Sequence, residues 1–425
     1  MYKWLTIAAL GLALALGAAG CGGAPEDPNT IHLVAWKFNN PGLWRRLADK
    51  FEQLHPPLKV SLEIGPHSST AYHDMLTQKL KNRSPEVDVF LMDVVWPPEF
   101  ASAGWALPLD QKLSAEDRRA FVPAALAAAT WQGRVYAAPL YVSAGVLYFR
   151  KDLLEGLRLK PPRTWPQMVS QIKLVLAHNR GDLAGYSGQF KQYEGLVCNM
   201  LEFIWSAGGV ALDQQGGSAL NRYQALRAVR FVRDSLIGKA APRGVLAYQE
   251  PESLELFAQG KAVFMRNWLY AWPLLNDPAR SAVAGKVGLA PLPRFSDGQS
   301  ASCLGGWLVG LSAFSTKPDK AFKLVQYLAS EEVQRRLALE EGLAPARREL
   351  YDDPWVLKAR PQFKHLGPVL AAARSRPRSP LYPALSQVMQ VYFHRAISDE
   401  DSDLPALAEM ATTDMDRLLG LARGD

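Results

Sequence analysis

Several side chains in this 425-residue chain stand where a short apolar run begins or ends, and their types are those that grip a polyhydroxylated ring. Asp93 closes the run Val-Asp-Val-Phe-Leu-Met at 87–92. Trp268 follows Ala-Val-Phe-Met-Arg-Asn at 262–267, Trp307 sits in Gly305-Gly306-Trp307, and Tyr141 precedes Gly-Val-Leu-Tyr-Phe at 145–149. In open α/β sheets, ligands bind outside the carboxyl ends of strands. A sugar ring presents C–H faces, which aromatic rings cover, and hydroxyl edges, which carboxylates and guanidinium groups hydrogen-bond. Each residue also has a plainer reading. Asp93 suits a helix cap, a single tryptophan suits packing, Gly305-Gly306 suits a bulge, and Arg376 suits a solvated charge beside Arg374 and Arg378.

The elements that would position these groups alternate. Residues 31–36 read as a strand. Leu43, Trp44, Leu47, Ala48, Phe51 and Leu54 share one helical face, and His55-Pro56-Pro57 stops that helix. Val60, Leu62 and Ile64 alternate as in a half-buried strand. A helix is expected over 71–81, and 87–92 reads as a strand buried on both faces, as in a parallel sheet. Further strands are expected at 145–149, 262–265 and 304–311. Helices are expected from a Thr164 cap to 178, at 193–206, 220–236 and 254–259, as one helix over 319–341, and at 384–395. The order is that of an α/β layer architecture. The length exceeds what one core usually supports, so two domains are expected.

The N-terminus reads as a secretory signal over 1–20: Lys3, an apolar run from Leu5 to Leu16, then Gly17-Ala18-Ala19-Gly20 and Cys21. The run is shorter than the roughly 20 apolar residues that span a bilayer. Cys21 directly after Ala-Gly looks like a bacterial lipobox, with Ala18 where such boxes usually carry Leu. Lipidation of Cys21 would anchor the chain to the membrane through a tether at 21–30. Cys198 and Cys303 are open to a disulfide or to two buried thiols. The formal charge of +7 falls to +6 without Lys3, and its basic residues are spread out, with no nucleic-acid motif. No metal-ligand spacing, phosphate loop or nucleophile elbow occurs, so neither metal nor cofactor is expected.

Seven stretches carry a resemblance: FLMDVVWPPEFASAGWALPLD (90–110), AAPLYVSAGVLYFRKDLL (137–154), QYEGLVC (192–198), MRNWLYAW (265–272), VGLAPLP (287–293), LGGWLVG (304–310) and RPRSPLYPALS (376–386). Together, in this order, the chain resembles the extracellular solute-binding proteins of ABC importers, in the group that includes maltose-binding proteins, nearest the trehalose/maltose branch. The resemblance implies the periplasmic-binding-protein type II fold. Two α/β lobes, 31–140 plus 308–345 and 141–307 plus 346–425, would flank a ligand cleft with several hinge crossings. It implies a monomer that binds a disaccharide or other small sugar and delivers it to permease subunits driven by cytoplasmic ATPases. Asp93, Tyr141, Trp268, Trp307 and Arg376 match ligand contacts, Gly306 would approach the ligand through its backbone, and Asn39 and Asn40 lie where the branch places a polar contact.

One departure bears on specificity. Where the branch reads Tyr-x-Asp-Ala-Gly, this chain reads Tyr141-Val142-Ser143-Ala144-Gly145. A neutral hydroxyl replaces a carboxylate that accepts charge-assisted bonds. The acid of the first loop is absent as well. Three competing readings remain open. A glycosidase needs two carboxylates across one bond, and beside Asp93 only Glu194 offers itself, better suited to a helix start. A module reporting to a membrane sensor would use the same cleft. The arginines around Arg376 leave an anionic ligand such as a glycerol phosphodiester open.

Overall fold

The computed structural model describes residues 27–179 and 181–422. The signal expected at 1–20, Cys21 and the tether up to residue 26 lie outside the described residues.

Eleven strands build two sheets. In chain order they are β1 (Thr30–Ala35), β2 (Lys59–Ile64), β3 (Val89–Asp93), β4 (Ala137–Ala144), β5 (Val146–Arg150), β6 (Ala184–Ser187), β7 (Ala262–Asn267), β8 (Val287–Ala290), β9 (Ser302–Leu311), β10 (Ala344–Pro345) and β11 (Ala373–Arg374). The first sheet runs β10-β4-β9-β3-β1-β2, with β11 added beside β9, and the second runs β8-β5-β7-β6. β3 pairs parallel with β1 but antiparallel with β9, so the parallel environment expected from its apolar run holds on one side only. Every residue of β3, β4, β7 and β9 is buried, as central strands require. β2 lies at the edge; Val60 is buried there, Leu62 half-buried and Ile64 exposed.

The chain passes from the first sheet to the second between β4 and β5, and returns between β8 and β9. The sequence assigns 141–144 and 304–307 to the second lobe; their backbone pairing, Tyr141↔Trp307 through Ala144↔Leu304, is within the first sheet. Gly306 has φ +133, and a Cβ there would meet the Tyr141 carbonyl oxygen at 2.5 Å. Only glycine fits that close approach, next to a register shift between Trp307 and Leu308.

Helices needed below are α1 (Leu43–Leu54), α2 (Ser69–Lys81), α3 (Trp165–His178), α4 (Glu194–Ser206), α5 (Tyr223–Phe231), α6 (Glu250–Ala258), α7 (Pro318–Leu328), α8 (Glu331–Glu341), α9 (Tyr382–Ser398) and α10 (Leu404–Ala422). α1 buries Leu43, Trp44, Leu47, Ala48 and Phe51, the face its periodicity marks. Thr164 caps α3, accepting from the Gln167 N–H. Two expectations differ. The single helix over 319–341 is α7 and α8, because the Ser330 hydroxyl accepts the Val333 N–H and caps a new start at Glu331, where Glu331 and Glu332 favour the N-terminal turn. The helix over 220–236 is α5 followed by a wider turn at 232–236. No described helix is long and apolar enough to cross a membrane.

Candidate functional site

A cavity with about 840 Å³ of space free of protein atoms, part of it open to solvent, lies between the two sheets. The first sheet and its helices contribute Asp93 at the end of β3, Tyr141 and Ser143 on β4, Gly306 and Trp307 on β9, and Asn39 after β1. The side of the second sheet contributes Trp268 just after β7, and Arg376 follows β11, the strand added beside β9. Eight of the nine expected contacts therefore line one space. Asn40 is the exception: its side-chain oxygen accepts from the Gly42 N–H at 3.2 Å, closing the turn into α1. A short side-chain amide two residues before a glycine suits such a turn.

Arg376, 3% exposed, ties the two sides together. Its Nη2 donates to Asp93 Oδ1 at 2.5 Å and its Nη1 to Glu194 Oε1 at 2.7 Å. Asp93 Oδ1 also accepts the Val95 N–H at 3.1 Å. Glu194 accepts the hydroxyls of Tyr382 and Ser386 as well, so the residue at the start of α4 organises the arginine. Burial alone would lower the Arg376 pKa; the charges around it, Asp93 first, hold it well above its usual range. Burial raises the Asp93 carboxyl against the pull of Arg376. Arg376 Nε is buried and has no hydrogen-bond partner among the described residues.

The rings are held on edge and face. Trp307 stacks on Trp36 at 5.0 Å and 23°, and Trp36 stacks in turn on His67 at 5.2 Å and 29°. Tyr72 and Trp96 meet Trp307 edge-on. Trp268 presents a second platform from the opposite side. The Arg266 guanidinium lies 4.0 Å from its ring centroid, its Nε1 donates to Glu250 Oε1 at 3.1 Å, and its ring rests against the backbone of Gly305. Both indoles are thus fixed before any ligand arrives, which spares rotamer entropy on binding.

Two carboxylates in the cavity escape a reading by motif. Glu250 begins α6 and also accepts the Tyr193 hydroxyl at 2.8 Å. Glu341 ends α8 and accepts the backbone N–H groups of Asn39 at 3.2 Å and Asn40 at 2.9 Å. The loop after β1 lacks its own acid, and Glu341 brings one to it from 301 residues away. Burial raises the Glu341 pKa. A signal existed in the sequence: Val333, Leu337 and Glu341 recur every four residues on the buried face of α8, and a glutamate there is out of place. Trp36 stands just past the end of β1, so the strand-end rule that selects Asp93 also selects Trp36. Cys198 and Cys303 are free, buried neighbours; the Cys303 hydrogen bond, then burial, raises the Cys198 thiol. Among the described residues no group of three or more His, Cys, Asp or Glu side chains could hold a metal ion.

Two sheets around a cavity lined by indoles, carboxylates and one guanidinium define a binding protein. The pattern of the bacterial extracellular solute-binding proteins matches residues 37–335, and this chain belongs to that family. A probable ABC transporter-binding protein of Deinococcus radiodurans is 35% identical over 338 residues, 78% of this chain and 80% of its own. The maltose-bound T. maritima MalE3 structure is 33% identical with a TM-score of 0.84, covering 92% of this chain and 99% of its own. A ribitol complex of a solute-binding protein from Agrobacterium radiobacter K84, 22% identical with a TM-score of 0.83, covers 93% of this chain and all of its own and shares the fold. The fold is the periplasmic-binding-protein type II fold. The family consists of exported substrate-binding components of ABC importers, which work with permease and ATPase subunits and are not enzymes.

Proposed function

We propose that this chain captures a di- or oligosaccharide, of the maltose or trehalose kind, between its two lobes and delivers it to an ABC permease. The observation that carries the reading is the Asp93–Arg376–Glu194 bridge across the cavity, flanked by Trp307 and Trp268. Asp93 would accept ring hydroxyls and Arg376 Nε would donate to one. Ser143, Tyr141 and Asn39 would complete the polar edge, and the backbone at Gly306 would pass close to the ligand. A ligand that touches both sides at once favours the closed arrangement by its differential contacts alone. The two sheets, each with its helices, would form the moving lobes, with 141–144 and 304–307 moving with the first. Cys21 would carry the lipid that holds this monomer at the membrane.

Thermal unfolding of the purified protein against mono-, di- and trisaccharides, polyols and glycerol phosphodiesters tests the reading. A ligand at about 100 times its Kd adds about 2.7 kcal/mol to stability. A shift with a sugar supports the proposal. A shift only with a phosphodiester, or with none of the panel, overturns it.

A further inference from the structure

Each oxygen of the Glu250 carboxylate already serves an aromatic side chain. Oε1 accepts the Trp268 Nε1–H at 3.1 Å, and Oε2 accepts the Tyr193 hydroxyl at 2.8 Å. Both partners line the cavity beside Glu250. The outer torsion of a tryptophan is broad, so its rotamer alone does not set the plane of the ring. The indole has a single donor, and the acceptor it finds decides how far the ring turns.

The local sequence places Glu250 for this. Gln249 and Glu252 close a capping box at the start of α6, with the Gln249 N–H donating to Glu252 Oε2 at 2.8 Å, so Glu250 is the first residue of the helix. Asn267 ties that helix start to the end of β7: its Nδ2 donates to the Glu250 carbonyl at 3.3 Å, and its side-chain oxygen accepts the Trp268 N–H at 2.8 Å. The Trp268 ring then has three fixed neighbours. Glu250 holds its Nε1, the Arg266 guanidinium covers one face, and Gly305 admits its edge, since a Cβ there would fall 2.8 Å from Cζ3. Gly195 likewise leaves room for the Tyr193 hydroxyl, with which a Cβ would collide. With Glu250 removed, the ring plane would be set only when the ligand arrives, at a cost in rotamer entropy.

We infer that Glu250 is a positioning residue, which acts on the ligand by aiming Trp268 and Tyr193 rather than as a charged acceptor of its hydroxyls. This rests on the sugar-binding reading above and adds how the platform on the side of the second sheet is set.

Two measurements test it together: calorimetry with maltose and trehalose, and the proton–nitrogen NMR signal of the Trp268 indole in the ligand-free protein, assigned by its absence from Trp268→Phe. Glu250→Ala should weaken the sugar that binds by about fivefold or more, and should shift or broaden the indole signal before any sugar is added. Glu250→Gln keeps an oxygen for the indole and an amide that donates to the Tyr193 oxygen, so affinity should stay within about threefold of the wild type. If Glu250 accepts ligand hydroxyls instead, Gln weakens binding as much as Ala while the indole signal stays in place, which overturns the inference. If Glu250 only favours the first turn of α6, both variants lower the urea midpoint alike and leave affinity and indole unchanged, which overturns it too. Should Glu250→Ala fail to fold, Glu250→Gln carries the test, and a loss of about tenfold or more there overturns the inference. If neither sugar binds the wild type, the sugar reading falls and the indole signal decides alone: unmoved in Glu250→Ala, it overturns the positioning role, and displaced, it upholds that role for the ligand the cavity does take.

Discussion

Two buried arginines, each bound to a glutamate of α4, meet their carboxylates in opposite ways. Arg266 is closed. Its Nε and Nη2 bind Glu202 side-on at 2.9 and 2.6 Å, its Nη1 reaches Gln189 at 3.1 Å, and Glu202 also accepts the Cys303 N–H at 2.9 Å. Gly145 makes room for the pair, since a Cβ there would fall 2.0 Å from Glu202 Oε1. Arg376 is open. It divides its two Nη groups between acids on different elements and leaves Nε without a partner. A closed network engages every donor nitrogen inside the protein. An open one keeps a donor for something that is not protein. Burial alone does not separate the two, because both arginines are almost fully enclosed.

The largest effect should come from the closed pair. Glu202→Ala strands a buried guanidinium and should cost about 3–5 kcal/mol in urea unfolding; a loss under about 1 kcal/mol would erase the contrast with Arg376. Trp307→Ala should cost a similar amount, about 3–5 kcal/mol, because Trp36, Tyr72 and Trp96 pack against its ring. Its effect on affinity therefore has to be read beside its stability. Arg376→Met should act chiefly on ligand. Asp93 and Glu194 keep other donors, so unfolding should change less than in Glu202→Ala, while affinity falls by about 2–5 kcal/mol in calorimetry. The reverse ranking would make Arg376 structural. Trp268→Ala, on a partly buried ring, should cost about 1–3 kcal/mol of affinity with a smaller loss of stability. Asn40→Ala should be the mildest, about 0.5–1 kcal/mol of stability with affinity unchanged, since its side chain serves the turn at Gly42. A large affinity loss there would return Asn40 to the ligand site.

The open site was partly legible from the chain. Asp93, Trp268 and Trp307 were found because each ends or interrupts an apolar strand, a property of neighbours in sequence. Gly305-Gly306 was open to a bulge or a ligand approach, and the structure has both a register shift at Trp307 and a cavity at Gly306. Arg376 as a ligand contact came from resemblance alone; the residues around it read equally well as solvated charge. The sequence reads Glu194 as a helix-start hydrogen-bonding group, and it does start α4 while receiving Arg376. Glu250 and Glu341 were not found. The substitution at Ser143 and the acid missing from the first loop point to a changed specificity, and the folded cavity draws further carboxylates, Glu250 and Glu341, from elsewhere in the chain.

The sequence by itself determined the α/β class, most helices and the central strands, because periodicity, caps and turn residues act within a few positions of one another. It did not determine where 319–341 would break, since both helices bury the same kind of face and only the Ser330 cap separates them. Tertiary structure alone decided which acids share the cavity. Asp93 and Arg376 lie 283 residues apart and Asn40 and Glu341 lie 301 apart. Contacts over such separations depend on how two sheets stack and where the chain crosses between them, and no local pattern encodes that.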